Sequence, residues 1–90
     1  DIIARMLRNL KEIHRTEEDW PRMLAVQNRL IALLPESWSE YRDRGLVHAE
    51  LGDATQAVRD LEIYLARAAQ EPDHPAITDR LSTLRGTHRE

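Results

Sequence analysis

Apolar positions recur every three or four residues in five stretches of this chain, and short polar breakers separate them. That spacing marks one face of a helix in each stretch, and no segment shows the alternation a strand requires. The first helix is expected from Ile2 to about Arg15, with Ile3, Met6, Leu7, Leu10, Ile13 and His14 as its inner face. The second runs from Trp20 to about Leu34, with Asp19 placed as N-cap and Pro21 tolerated in the first turn. A third is expected from Trp38 to Leu51, and Gly52-Asp53 makes the next turn. The fourth, from Thr55 to Ala69, turns Ala57, Val58, Leu61, Tyr64, Leu65 and Ala68 inward. The EPDHP stretch stops it, because Pro72 and Pro75 cannot both lie inside a helix. Ile77, Leu81 and Leu84 mark a fifth helix from about Ala76 to Leu84, and residues 85–90 read as a frayed tail.

The order of these helices carries more information than any one of them. Helices one and two match helices three and four at an offset of 34 residues. Arg8 aligns with Arg42, Ile13 with Val47, His14 with His48, Asp19 with Asp53, Leu24 with Val58 and Ile31 with Leu65. A two-helix unit repeated at this period resembles the tetratricopeptide repeat. The resemblance implies an all-α fold of five antiparallel helices, about two and a half repeats, in one domain over residues 1–90. Repeat 1 would span about 4–37, repeat 2 about 38–71, and a capping helix about 76–84.

The second unit is the better match. Gly45 falls where two helices approach closely, Gly52 on the turn, and Ala57 at the crossing of the pair. In the first unit Lys11, Glu18 and Met23 take those three places, so its helices are expected to sit further apart. RNLK (Arg8 to Lys11) and RDRG (Arg42 to Gly45) also resemble the C-terminal helical region of bacterial transglutaminase-like proteins described as invasion regulators. That likeness implies a context, a fragment of a longer protein with a papain-like domain upstream. It brings no catalytic residue to this chain.

Composition narrows the function classes. The net charge of −3 gives no bulk attraction to nucleic acid or to anionic lipid. Without cysteine there is no disulfide, thiolate metal site or thiol nucleophile, which fits a reducing, cytoplasmic setting. No apolar run approaches the ~20 residues of a membrane span. No HExxH, phosphate-binding loop or Gly-x-Ser-x-Gly turn is present, and Glu17, Glu18 and Asp19 suit a helix start. The chain is therefore read as non-enzymatic, with no cofactor and no metal ligands. His14 and His48 are read as packing residues, and His74 and His88 as loop and tail.

What is left is a surface. On such a repeat array the first helix of each pair lines a concave groove, which places Arg5, Arg8, Glu12, Arg42, Leu46 and Arg80 along it. Arginine forks suit carboxylates, so the expected partner is an acidic peptide or protein face, or an upstream domain of the same protein. The competing reading is a solvated face with internal pairs to Glu12 and Asp43. Arg44 aligns with Leu10, at a packing position, so an internal partner is expected, Asp60 or Asp79. Ile2, Ile3 and Met6 at the array's start would favour docking or self-association if uncovered. A homodimeric adaptor is thus a further reading, and so is an accessory lobe of a papain-like enzyme.

Overall fold

The computed structural model describes residues 2–68 and 71–88. It contains helices α1 (Ile2–Thr16), α2 (Trp20–Leu33), α3 (Trp38–Glu50), α4 (Ala54–Arg67) and α5 (His74–His88), with no strand among the described residues. Each helix packs chiefly on the next, and α3 with α4 forms the most extensive pairing.

The two α-hairpins turn in the same way. Asp19 N–H donates to the His14 carbonyl (2.9 Å) and Glu18 N–H to that of Arg15 (3.0 Å). Asp53 and Gly52 repeat this with His48 (2.8 Å) and Ala49 (3.1 Å). These crossed bonds close a helix on a residue with left-handed backbone, which Gly52 adopts freely at φ 80°. Glu18 must adopt it as well, at φ 56°, despite its Cβ. The aspartate that follows then caps the next helix: Asp19 accepts from Arg22 N–H (3.4 Å) and Asp53 from Gln56 N–H (3.2 Å).

Helix α5 is longer than the periodicity suggested. It begins at His74, because Pro75 lies in its first turn, where the missing N–H leaves nothing unpaired. It continues through residues 85–88, expected as a tail, so His74 and His88 both belong to the helix. Helix α4 ends at Arg67, and the expected end at Ala69 lies outside the described residues, as do positions 89 and 90.

The interior is divided. Ala4, Val26 and Leu30, flanked by Leu7 and Leu34, join α1 to α2. Leu61, Tyr64, Ile77 and Leu81 join α4 to α5, and Trp38, Leu46 and Val58 pack against them. In the second unit Gly45 lets the helices close: a Cβ there would stand 2.9 Å from Leu61 and 3.2 Å from the Ala57 carbonyl. Between the two apolar clusters lies a layer of buried polar side chains, Lys11, Gln27, Glu40, Asp43 and Asp60.

Helix α1 is oriented differently from the expected inner face. Ala4, Leu7, Lys11 and His14 turn inward, whereas Ile3, Met6, Leu10 and Ile13 are exposed. The apolar arc of α1 is wider than its contact with α2, and Lys11 decides the rotation because its ammonium has buried carboxylate partners in α3.

Candidate docking surface

Lys11 crosses the boundary between the two helix pairs. Its Nζ donates to Glu40 Oε1 (3.0 Å) and to Asp43 Oδ2 (2.9 Å), with all three side chains nearly excluded from water. Gln27 Nε2 donates to the Glu40 carboxylate (3.1 Å) and to its carbonyl (2.9 Å). Buried carboxylates need such compensation, since an unpaired charge there costs several kcal/mol. Glu40 and Asp43 sit one turn apart on α3, so one lysine serves both.

The proposed groove arginines are drawn into this layer. Arg8 Nε donates to Glu40 (3.2 Å), not to Glu12. Arg15 lies 3.6 Å from Asp43 and 3.5 Å from Glu12. Arg42 donates to its neighbour Asp43 (3.0 Å) and to Asp73 (2.9 Å), and its guanidinium lies over the Tyr64 ring. Arg80 is 3.7 Å from Glu50. Arg5 is exposed and has no ion pair among the described residues. Arg15, Asp43, Leu46, Glu50 and Arg80 share one cavity of about 220 Å³ floored by Trp20, Met23 and Val47. Its rim holds both charge signs, so it presents no net anion-binding stripe.

Burial works against the charge on Arg42, but Asp43 and Asp73 outweigh it and hold the guanidinium protonated. Asp73, just ahead of α5, accepts from the Tyr64 hydroxyl, and this bond with Arg42 holds its carboxyl below the usual aspartate value. The phenol of Tyr64 is pushed up by burial and by Asp73. These three residues latch the loop before α5 onto α3 and α4.

Arg44 is half-buried and grips Asp60, with Nε and Nη2 each 2.8 Å from one carboxylate oxygen. Its Nη1 reaches Asn28 of α2 (3.1 Å), and Tyr41 lies beneath the guanidinium. Asp79 is exposed on α5 and takes no part. The hydrogen bonds to Asp60 raise the Arg44 pKa above its ordinary value. The alignment partner Leu10 lies exposed on α1.

The histidines are less inert than packing alone requires. His48 Nε2 is 3.7 Å from Asp60, and His14 Nδ1 is 3.8 Å from Glu17. His14, Glu17 and Asp19 can each bring one ligand atom within 4.8 Å of the others. Asp19 is already engaged by the α2 cap and by Arg22 (3.5 Å), and Glu17 is exposed.

One surface has no compensation. Ile2 (71% exposed), Ile3, Met6, Leu10 and Ile13 form a continuous apolar stripe along the outer side of α1. Leu33 of α2 is also exposed, and with Ile3, Leu7, Arg29 and Ala32 it borders a shallow depression of about 380 Å³ beside the stripe. Scattered apolar residues on a surface are ordinary, but a contiguous patch marks a contact site. None of the described helices is long and apolar enough to cross a membrane.

Comparison with known proteins agrees with this architecture. The tetratricopeptide repeat family matches over residues 10–82. A UPF0162 protein of Xylella fastidiosa is 36% identical over 64 residues, which is 71% of this chain and 23% of that protein. Protein SirB1 of Salmonella typhimurium is 29% identical over 84 residues, 93% of this chain and 31% of its own length. UPF0162 protein YchA of Escherichia coli is 26% identical over 88 residues, 98% of this chain and 33% of its length. The chain thus spans between about a quarter and a third of the length of these relatives.

Proposed function

This chain belongs to the tetratricopeptide repeat family, and from that premise we propose that it is a protein-docking module without chemistry of its own, bound through the outer face of α1. Repeat folds of this kind present surfaces to other proteins, and the question is which surface serves here. The single observation that carries the answer is the exposed stripe of Ile2, Ile3, Met6, Leu10 and Ile13. Of the groove arginines, Arg8, Arg42 and Arg80 already pair with Glu40, Asp43, Asp73 and Glu50, and only Arg5 has no ion pair among the described residues. An acidic peptide binding there would have to displace internal carboxylates from them, which costs much of what it gains.

Apolar area removed from water stabilises by roughly 25 cal/mol per Å², so five large side chains on one helix supply a strong anchor. Interfaces that form permanently are the more apolar ones, which suits a lasting docking contact better than a transient exchange of peptides.

Site-specific photo-crosslinking tests this reading. A benzoylphenylalanine placed at Leu10 is expected to crosslink to protein in the producing cell, either to another polypeptide or within its own, whereas one placed at Arg80 in the groove is not. Adducts at Arg80 with none at Leu10 would overturn it.

A further inference from the structure

The repeat register points to what covers α1: an apolar helical face of the same polypeptide, stacked on α1 as the first repeat stacks on the second. The inference rests on the docking reading above and names its partner. At the offset of 34 residues, Met6, Leu10 and Ile13 of α1 correspond to Glu40, Arg44 and Val47 of α3. In α3 this row faces the preceding helix pair. Glu40 meets Gln27 and Lys11, Arg44 reaches Asn28, and Val47 shares a cavity with Trp20 and Met23. The stripe on α1 is therefore the surface that, one repeat later, is the seam between units. It is the continuation of an interface the molecule already has.

The chemistry of the two seams differs, and the difference selects the occupant. Across the seam Glu40 meets Lys11 and Gln27, and Arg44, whose main partner Asp60 lies in its own helix pair, meets Asn28, so the inner seam is polar. Met6, Leu10, Ile13 and the added Ile2 and Ile3 offer no polar atom beyond the backbone, so the element stacked on them must present an apolar face. A second copy stacking head to tail would present α5 or α4. Among the described residues α5 exposes Thr78, Asp79, Arg80, Ser82, Thr83 and Arg85, and no large apolar side chain. Head-to-tail self-assembly therefore lacks a complementary surface. Two copies meeting through α1 alone is the competing occupant, and concentration-dependent protection of α1 would reveal it. In the matched relatives the matched region is 23–33% of the whole length, which leaves ample chain in proteins of this kind to supply such a segment.

The chain has no cysteine, so a single introduced thiol reports on one position. L10C and, as an exposed control on α5, S82C are made both in the ninety-residue chain and in the full natural polypeptide that carries it. Maleimide labelling is followed by mass spectrometry of the peptide concerned. The expected result is L10C labelled at least tenfold more slowly in the full polypeptide than in the ninety-residue chain, with S82C equally fast in both. Equal rates at L10C overturn the inference and, if no adduct forms at Leu10 either, the docking reading with it. Protection of L10C in the ninety-residue chain that deepens with concentration overturns the inference alone, because the occupant is then a second copy. A natural polypeptide no longer than these ninety residues overturns it likewise.

Discussion

Met6 and Glu40 hold the same place in successive repeats, yet Met6 is 59% exposed and Glu40 2%. One side chain is apolar and bare, the other charged and enclosed. Glu40 tolerates burial because Lys11, Arg8 and Gln27 all donate to it. Met6 instead leaves most of its side chain to water, and the docking account follows from that contrast.

Removing the lysine tests the polar seam. Lys11→Met keeps the apolar stem and deletes the ammonium, leaving Glu40 and Asp43 to the half-exposed arginines. Breaking a buried pair costs roughly 3–5 kcal/mol, and the remaining partners place the expected loss near the lower end, at about 3 kcal/mol. Urea unfolding followed by circular dichroism measures it. For a domain whose total stability is on the order of 5–10 kcal/mol, such a loss is large.

Arg44 and Asp60 form the second internal pair, and a double-mutant cycle isolates it. Arg44→Leu leaves a carboxylate that is 1% exposed with His48, at 3.7 Å, its remaining ion-pair partner among the described residues. The single variants are each expected to lose about 3 kcal/mol, and Arg44→Leu with Asp60→Leu less than their sum by at least ~1 kcal/mol. Additive losses would mean that the bidentate contact contributes nothing specific.

Glycine should behave in opposite ways at two positions. Gly45→Ala drives a Cβ into the Leu61 side chain and the Ala57 carbonyl, so about 1 kcal/mol of stability is lost despite the better helix propensity of alanine. Glu18→Gly relieves a left-handed backbone that a side chain disfavours, so a gain of about 0.5–1 kcal/mol is expected. Thermal melts of the two variants beside the parent chain decide both signs.

The latch before α5 carries a pH dependence. The Asp73 carboxyl is held below its unperturbed value of 3.8 by Tyr64 and Arg42. A lowered carboxyl pKa stabilises the fold at pH values above the unfolded one and loses that contribution as pH falls through the folded one. The melting-temperature gap between the parent chain and Asp73→Asn should thus stay constant from about pH 5 to 7 and narrow as the pH falls below about 4. Tyr64, raised above 10.0, has the opposite sense: its contribution is present below about pH 10 and is lost as the phenol ionises. A gap that does not narrow as the pH falls below about 4 would contradict the latch.

The repeat was legible in the sequence because its turns are local. Asp19 and Asp53, each closing one helix and capping the next, stand at the offset that defines the unit. The candidates for Arg44 also came from register, since a guanidinium aligned with a leucine needs an acid within reach. The rotation of α1 was not legible. Its apolar residues cover an arc too wide for periodicity to say which part faces inward, and a lysine decides the matter. The enclosure of Glu40 and Asp43 was equally hidden, because their partner Lys11 lies 29 and 32 residues away and charges on a helix read as solvated. A carboxylate at Glu40 aligned with apolar Met6 was the available signal.

The most direct test of the account is a calorimetric titration of the ninety-residue chain with the separately produced flanking segment that the proposal places on α1. Parent chain and Arg5→Ala/Arg80→Ala should bind alike, within about threefold, because the groove charges take no part. Leu10→Glu should leave stability within about 0.5 kcal/mol, as surface changes do, and weaken binding at least a hundredfold. If Leu10→Glu binds like the parent while the arginine variant fails, the outer face of α1 is not the docking surface.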